Sequence, residues 1–155
     1  MSCHDIGRGM NSVVRTIVSL MDENKISKDA AKTLICCCAS SVNWCDGNPY
    51  EATDYIRRCM CGRCMKKVPA GEKLYSVFQV SRDVPEQYHL KTHLASDRLC
   101  EDCFDVVLVE HCKDSEAGKR ERKYIEDHYE SKDYVSTGEY ENHNNGYRWV
   151  NYDLP

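Results

Sequence analysis

Two cysteine pairs of the form Cys-x2-Cys are the residues in this 155-residue chain whose type and spacing point most directly to chemistry. Cys61 and Cys64 form the first pair, and Cys100 and Cys103 form the second. Two thiolates separated by two residues can face one ion from a single turn, and four complete the closed tetrahedral site of structural zinc. We therefore predict one structural Zn2+ per chain on these sulfurs. Gly62 is expected to let the backbone bend tightly around the ion.

Other cysteines and histidines leave two alternatives open. Cys59, His93 or Cys112 could replace one of the four ligands, although each is also explained by packing or by a surface position. A second metal or redox site is the other alternative. Successive helical residues point about 100° apart, so three adjacent cysteines cannot all bind one ion, and packing is the simpler interpretation. The residues concerned are Cys3, His4, Cys36, Cys37, Cys38 and Cys45.

Helices are predicted on the N-terminal side of the first pair. Apolar residues recur at helical spacing from Val13 to Met21, and again after Ser27, which is suited to an N-cap, as far as about Val42. A third helix is expected to start at Asn48 as its N-cap and to run to about Cys59. Short connections favour a helical hairpin followed by a shorter helix.

Strands are predicted between the two pairs. The alternation from Leu74 to Val80 is typical of a half-buried strand, and a second strand is expected around Gln87 to Thr92. The second pair opens an apolar pattern that extends to His111 at helical spacing. The chain between the pairs is thus expected to form a small sheet beside a helix.

The C-terminal part is predicted to contain a charged helix and a hairpin. Residues 114–130 form the helix, with Asp114 or Ser115 as its cap and Tyr124, Ile125, His128 and Tyr129 on its inner face. The turn signal Asn144-Asn145-Gly146 precedes an aromatic run and favours a β-hairpin.

The segment from 59 to 112 resembles the treble-clef group of zinc fingers. The resemblance rests on the knuckle Cys61-Gly62-Arg63-Cys64, on the turn and strand from Val68 to Val77, and on the helix entry from Leu99 to Phe104. It implies a zinc knuckle, a β-hairpin and a helix that carries the second pair in its first turn. The group includes nucleases, DNA binders and protein adaptors, so the resemblance implies a metal fold more than a function.

An HNH-type nuclease is the enzymatic alternative that this resemblance suggests. Such enzymes carry a general-base His on the first strand, and an Asn and a metal-binding His on the helix. His89 or His93 could supply the base and His111 a distal ligand, but Phe104 stands where the helix His is expected. The chain has no Asn between positions 48 and 142. The set is incomplete, so the sequence favours a non-catalytic protein without excluding an enzyme.

Charge and aromatic residues indicate the kind of partner. The net charge is −4, with nine basic and five acidic residues in 53–100 but seven basic and fourteen acidic residues in 101–155. A basic cluster around the knuckle could meet phosphates, or could balance the acidic end of the same molecule. Aromatic residues of the tail suit a protein interface. The cluster is Arg57, Arg58, Arg63, Lys66, Lys67 and Lys73; the tail aromatics are Tyr134, Tyr140, Tyr147, Trp149 and Tyr152.

Cysteine usage and hydropathy bear on the compartment. Eleven cysteines cannot all pair internally, and the apolar run Val13 to Met21 contains Arg15, unlike a signal peptide. No stretch approaches the roughly 20 apolar residues of a membrane span. These features predict a reduced, cytoplasmic protein with no membrane association.

Together the patterns predict an α+β protein. An N-terminal helical unit (1–58) packs on a treble-clef-like zinc module (59–112), followed by a charged helix and an aromatic hairpin tail (113–155). The predicted function is recognition of a macromolecular partner, a protein in preference to a nucleic acid.

Overall fold

The computed structural model describes residues 3–41, 53–77, 81–90, 94–129 and 134–138. These residues form a mixed fold of helices and a small antiparallel sheet, so the predicted α+β class is confirmed. The helices are α1 Cys3–Asp22, α2 Lys28–Ser41, α3 Asp54–Cys59, α4 Glu101–His111 and α5 Glu116–His128. The strands are β1 Lys73–Ser76, β2 Arg98–Leu99 and β3 Tyr134–Val135, and Glu86–Tyr88 is a 3-10 helix.

The first three helices share one apolar core. Ser27 caps α2 as predicted, because its Oγ accepts a hydrogen bond of 3.1 Å from the Ala30 amide. The predicted third helix begins at Asp54 within the described residues, while its expected cap, Asn48, lies outside them. No described helix has both the length and the apolar character that a membrane crossing requires. The core contains Val14, Ile17, Val18, Met21, Ala31, Ile35, Tyr55, Ile56, Cys59, Met60, Met65 and Ala95.

The sheet is ordered β2-β1-β3. Tyr75 pairs with Leu99 on one side of β1, and Leu74 pairs with Tyr134 on the other, both in antiparallel register. The strand predicted around Gln87 to Thr92 is wrong where the structure describes it. Pro85 is followed there by the 3-10 helix, and the partner of β1 is β2, directly before the second cysteine pair.

A second apolar core lies under β1, β2, α4 and α5. Ile125 is fully buried in it, which agrees with the predicted inner face of α5, whereas Tyr124, His128 and Tyr129 are half-buried. Ser115 is the cap of α5, since its Oγ accepts from the Gly118 amide at 3.0 Å. The core contains Cys61, Val77, Leu90, Leu99, Cys103, Val107, Leu108, Cys112 and Ile125.

The segment 134–138, which we call the strap, fixes the later chain to the other edge of β1. The Ser136 amide donates to Glu72 O at 2.9 Å, and the Ser136 carbonyl accepts from the Gly71 amide at 3.0 Å. The buried Ser136 Oγ also donates to Val68 O at 2.7 Å. This strand was not predicted from the sequence; the hairpin predicted near residues 144–146 lies outside the described residues.

Candidate metal centre

The structure brings the four cysteines of the two pairs into one cluster. The Sγ atoms of Cys61, Cys64, Cys100 and Cys103 all lie within 4.8 Å of one another. A tetrahedral zinc ion with bonds of about 2.3 Å needs sulfurs about 3.8 Å apart, so small side-chain adjustments would suffice to bind it. Across the described ranges, no other group of three or more metal-ligating side chains meets.

The first pair lies in a tight turn after α3. The Cys61 amide donates to Lys66 O at 3.0 Å, and the Cys61 carbonyl accepts from the Met65 amide at 2.9 Å. Met65 closes the turn in the left-handed region, with φ of 58°. These bonds form the knuckle of residues 61–64 and direct its sulfurs toward the second pair.

Gly62 joins the knuckle to the chain that enters α4. Its amide donates to Arg98 O at 2.8 Å, and its carbonyl accepts from the Ala95 amide at 2.9 Å. A Cβ at this position would lie within 2.7 Å of Ser96 N and closer still to Ser96 O. Glycine was expected here for backbone bending, but the left-handed residue of the turn is Met65. Gly62 instead permits a close approach of two backbones.

The second pair opens α4. Cys100 is its N-cap residue, with the Phe104 amide donating to Cys100 O at 2.9 Å, and Cys103 lies in the first turn. The positive end of the helix dipole therefore faces the sulfurs, which favours thiolates. Because β2 pairs with β1 and ends at Leu99, the sheet fixes the position at which this helix starts.

Burial and hydrogen bonds set the protonation of the sulfurs. Burial raises the pKa of Cys61 far above its ordinary value, although backbone amides, including those of Cys64 and Arg63 at 3.5 and 3.4 Å, donate to its sulfur. Burial also raises the pKa of Cys100 to about 11. At Cys103 burial acts in the same direction, but hydrogen bonds from the other cysteines and Arg63 outweigh it and lower the pKa. A metal ion must displace protons from at least two of these thiols.

Cys59, Cys112 and His93 were considered as replacements for one of the four metal ligands. The Cys59 thiol donates to Tyr55 O at 3.3 Å, and burial raises its pKa to about 12, as expected for a packed, protonated side chain. Cys112 is buried in the second core, which raises its pKa. Neither belongs to the four-sulfur cluster. His93 lies outside the described residues.

The cysteines of α2 do not converge. Cys36 donates to Leu94 O at 3.5 Å, Cys37 is exposed, and Cys38 packs against the first core. The side chains of Cys3 and His4, together with Cys45, lie outside the described residues.

The residues considered for a nuclease have separate partners. The His89 ring contacts Val84 O at 3.1 Å, while His111 Nε2 lies 3.2 Å from Glu121 Oε1 on α5. Phe104, in the place of the expected helix His, stacks on Tyr75 with ring centroids 5.2 Å apart. Neither described histidine joins a metal-ligating group of three.

The basic cluster divides into two parts. In the first part, Arg57 pairs with Asp97 at 2.9 Å, and Arg58, 3% exposed, pairs with Asp54 one helical turn away. Arg63 belongs to the same part and pairs with Glu110 of α4 at 2.8 Å. The second part is exposed and comprises Lys66, Lys67 and Lys73.

A buried cation close to these arginines was not predicted from the sequence. Arg98 is buried, and its guanidinium carbon lies 3.5 Å from the centroid of the Tyr134 ring in the strap. The pairing of Asp54 with Arg58 had a sequence signal in its four-residue spacing. The contact between Arg98 of β2 and Tyr134 of the strap had no such sequence signal.

Comparisons of the chain with protein-family models, with curated proteins and with solved structures found no match. The function is therefore inferred from the geometry of the cysteine cluster and from the surfaces around it.

Proposed function

We propose that this chain is a zinc-stabilised, non-catalytic binding or regulatory protein that recognises a macromolecular partner. The observation that carries the proposal is the convergence of Cys61, Cys64, Cys100 and Cys103 from two separate elements. Thiolates select soft or borderline metals, and four of them in a tetrahedral arrangement suit zinc. A shell of four protein ligands leaves no open position for substrate, which favours a structural ion.

The ion would hold the knuckle against α4. The described elements follow the order of a treble clef: knuckle, antiparallel β1 and β2, then a helix with a cysteine pair at its start. This order supports a treble-clef-like module within 59–112. Such a small module buries too little apolar surface to be stable alone, so zinc would contribute folding free energy.

The surface near the site favours a protein partner over a nucleic acid. Arg57, Arg58 and Arg63 pair with acidic side chains, which reduces the cationic surface available to phosphates. On α4, the element that carries the second pair, Val106 and Val109 are exposed, Val109 to 53%. Exposed apolar side chains on a rigid helix suit a protein contact.

Metal content tests the first part of the proposal. Elemental analysis and native mass spectrometry of the reduced chain are expected to give one zinc per chain. Cys64→Ser and Cys100→Ser should abolish stoichiometric binding, while Cys37→Ser, at an exposed cysteine of α2, should retain it. A chain that binds no zinc, or disulfides among the four sulfurs, would refute the metal site.

Recognition of a protein is tested by affinity capture with the zinc-loaded chain. Val109→Ser is expected to reduce recovery of a specific partner, whereas Val13→Ser, equally apolar and 46% exposed on α1, should not. Truncation after residue 138 leaves the strap in place and tests the tail separately. Equal recovery with all variants would remove both α4 and the tail as contact surfaces.

The nucleic-acid alternative has its own assay. If the partner is a protein, a mobility-shift titration with nucleic acid at several salt concentrations should show no binding that depends on the lysines of the basic cluster, Lys66, Lys67 and Lys73. Salt-sensitive binding lost in the triple Gln variant would favour the zinc-finger nucleic-acid binder, and Mg2+-dependent nicking abolished by His89→Ala would favour the nuclease.

A further inference from the structure

A cavity lies between the turn that joins α1 to α2 and the chain that follows the knuckle. Its volume is about 380 Å3, which is within the size range of small-ligand sites. One wall is formed by residues between positions 21 and 28, and the other by residues 65–67. The cavity contains none of the four clustered cysteines, so it is a feature separate from the metal centre.

Backbone hydrogen bonds fix both walls of this cavity. The Asn24 amide donates to Met21 O at 3.0 Å in one wall, and the Met65 amide donates to Cys61 O at 2.9 Å in the other. Asn24 and Met65 have φ of 57° and 58°, and across the described residues they are the non-glycine positions with a positive φ. Such backbone conformations cluster at binding sites, where the surrounding structure enforces them. The walls are therefore formed before any ligand arrives.

The inner surface of the cavity is apolar. Met21 and Met65 are 7% and 3% exposed and belong to the first core, and Ile26 packs against the same core. All three line the cavity. Thioether side chains adapt their shape to what they contact, which suits the binding of an apolar side chain from a partner.

The outer edge of the cavity is basic. Lys28, Lys66 and Lys67 line it and are exposed, against one acidic residue, Asp22, in the described lining. The N-terminus of α2, capped by Ser27, adds the positive end of a helix dipole on the same side. An excess of positive charge around an apolar surface complements a ligand that carries both carboxylates and an apolar group.

We propose that this cavity binds an acidic peptide segment of a protein partner. One apolar side chain of the segment contacts Met21 and Met65, and the carboxylates that flank it contact the lysines. The inference rests on the proposed recognition of a protein, and it names a contact surface separate from Val109 on α4. A nucleic acid fits this cavity less well, because no aromatic ring for base stacking is present among the described residues that line it.

Nuclear magnetic resonance of the zinc-loaded chain, labelled with 13C at the methionine methyl groups, tests this site directly. The chain has five methionines, so the spectrum is simple, and single Met→Leu variants assign it. The probe is a pentapeptide with blocked ends and a central leucine between two pairs of glutamates. The Met21 and Met65 methyl resonances should shift on titration. Met60, buried in the same core but outside the cavity lining, should not shift.

Changes to the probe separate the apolar contact from the charge. Serine in place of the leucine should weaken binding about tenfold, because the methionines then gain no apolar partner. Glutamines in place of the glutamates should also weaken binding. Equal affinity for the leucine and serine probes would mean attraction by charge alone and would overturn the proposal. A single-stranded oligonucleotide that shifts the same two resonances at lower concentration would overturn it in favour of a nucleic acid.

Substitutions of exposed lysines test the basic edge. The double variant Lys28→Gln, Lys66→Gln should weaken binding of the leucine probe about three- to tenfold, with a loss that shrinks at high salt. Lys73→Gln is the matched control, since Lys73 is an exposed lysine of the same basic cluster that does not line the cavity. Equal affinities of the double variant and the control would contradict the proposal.

The cavity and the proposed function fail in different ways. If the chain binds one zinc and captures a partner through α4, but the Met21 and Met65 resonances stay unmoved with the probe in excess, only the cavity is refuted. If the chain binds no zinc, the metal site is refuted by the elemental analysis, whatever the probe does. Shifts confined to Met21 and Met65, lost in the double lysine variant, would support the cavity as the contact surface.

Discussion

At the residue scale, Gly62 lies where the first cysteine pair comes nearest to the chain that leads into the second. Its amide and carbonyl bond to Arg98 O and the Ala95 amide, so the knuckle and the entry to α4 are held backbone to backbone. Ser96 occupies the space that a side chain at position 62 would need. The distance between the two halves of the four-cysteine cluster therefore depends on the absence of a single Cβ at position 62.

Gly62→Ala is expected to weaken zinc binding and stability together. The added Cβ would force Ser96 away, at a cost of about 1–3 kcal/mol typical of overpacking, and the sulfur pairs would separate with it. Competition with a zinc chelator and urea unfolding measure the two effects.

Gly9→Ala is the control for that substitution. Gly9 is exposed on α1, and nothing lies within 4 Å of the position that a Cβ would take there, so alanine should raise stability by about 0.5–1 kcal/mol. Zinc affinity for Gly62→Ala equal to that of Gly9→Ala would show that the close approach at Ser96 is unimportant.

At the element scale, the sequence predicts elements whose signals are local. Ser27 and Ser115 both cap helices as expected, because a cap depends on the next three residues alone. The strap has no such local signal, because β3 contains only two residues. It gains its stability by pairing with β1, about sixty residues earlier in the chain. Over residues 87–90, which the structure describes, the predicted strand is wrong for the same reason, because strand pairing is decided by distant neighbours.

The four-cysteine cluster shows the same difference between local signals and long-range contacts. The Cys-x2-Cys spacing was sufficient to predict which sulfurs would meet, whereas the ion pair of Arg63 with Glu110 depends on how the knuckle faces α4. No local pattern encodes that orientation. The pairing of Arg57 with Asp97, across forty residues, could not be predicted for the same reason.

Ser136→Ala is expected to destabilise the strap and, through β1, the sheet. Its buried Oγ donates to Val68 O and accepts from the Gly138 amide at 3.2 Å, so alanine leaves a buried carbonyl unsatisfied. The expected loss is about 1–3 kcal/mol in the free energy of unfolding of the zinc-saturated chain. Denaturant unfolding monitored by circular dichroism gives this value.

Ser40→Ala removes a comparable hydroxyl from an exposed site. Ser40 Oγ donates to Cys37 O at 3.1 Å on the surface of α2, where water can replace it. Its effect should stay within about 0.5 kcal/mol. If the two serine variants lose equal stability, the strap is not held by the buried hydroxyl.

At the scale of the whole molecule, the two apolar cores differ in how closely they involve the four-cysteine cluster. The second core includes Cys61 and Cys103 among its own members, so it surrounds the site directly. The first core is built mainly by α1, α2 and α3, and receives Met65 and Ala95 from the chain around the knuckle. Zinc should therefore stabilise the second core more than the first.

Metal removal is expected to separate the two cores. Without zinc, no ion offsets the cost of burying the negative charge of the four thiolates. The knuckle should therefore detach from α4. Hydrogen exchange with mass spectrometry should then show lost protection in 61–77 and 98–112. Peptides from α1 and α2 should keep most of theirs, because Val14, Val18 and Ile35 remain packed together.

The experiment compares the chain in excess EDTA with the same chain in EDTA presaturated with zinc, so the chelator itself is controlled. Restoring protection by adding zinc would show that the loss is reversible. Uniform loss of protection over α1, α2 and α4 would contradict the division near residue 58, and would mean that Met65 and Ala95 couple the cores into one cooperative unit. Unchanged protection everywhere would mean that the four thiols pack stably without a metal. The burial of Cys61 and the raised pKa of Cys100 disfavour thiolates in such an arrangement, so its sulfurs would be protonated thiols.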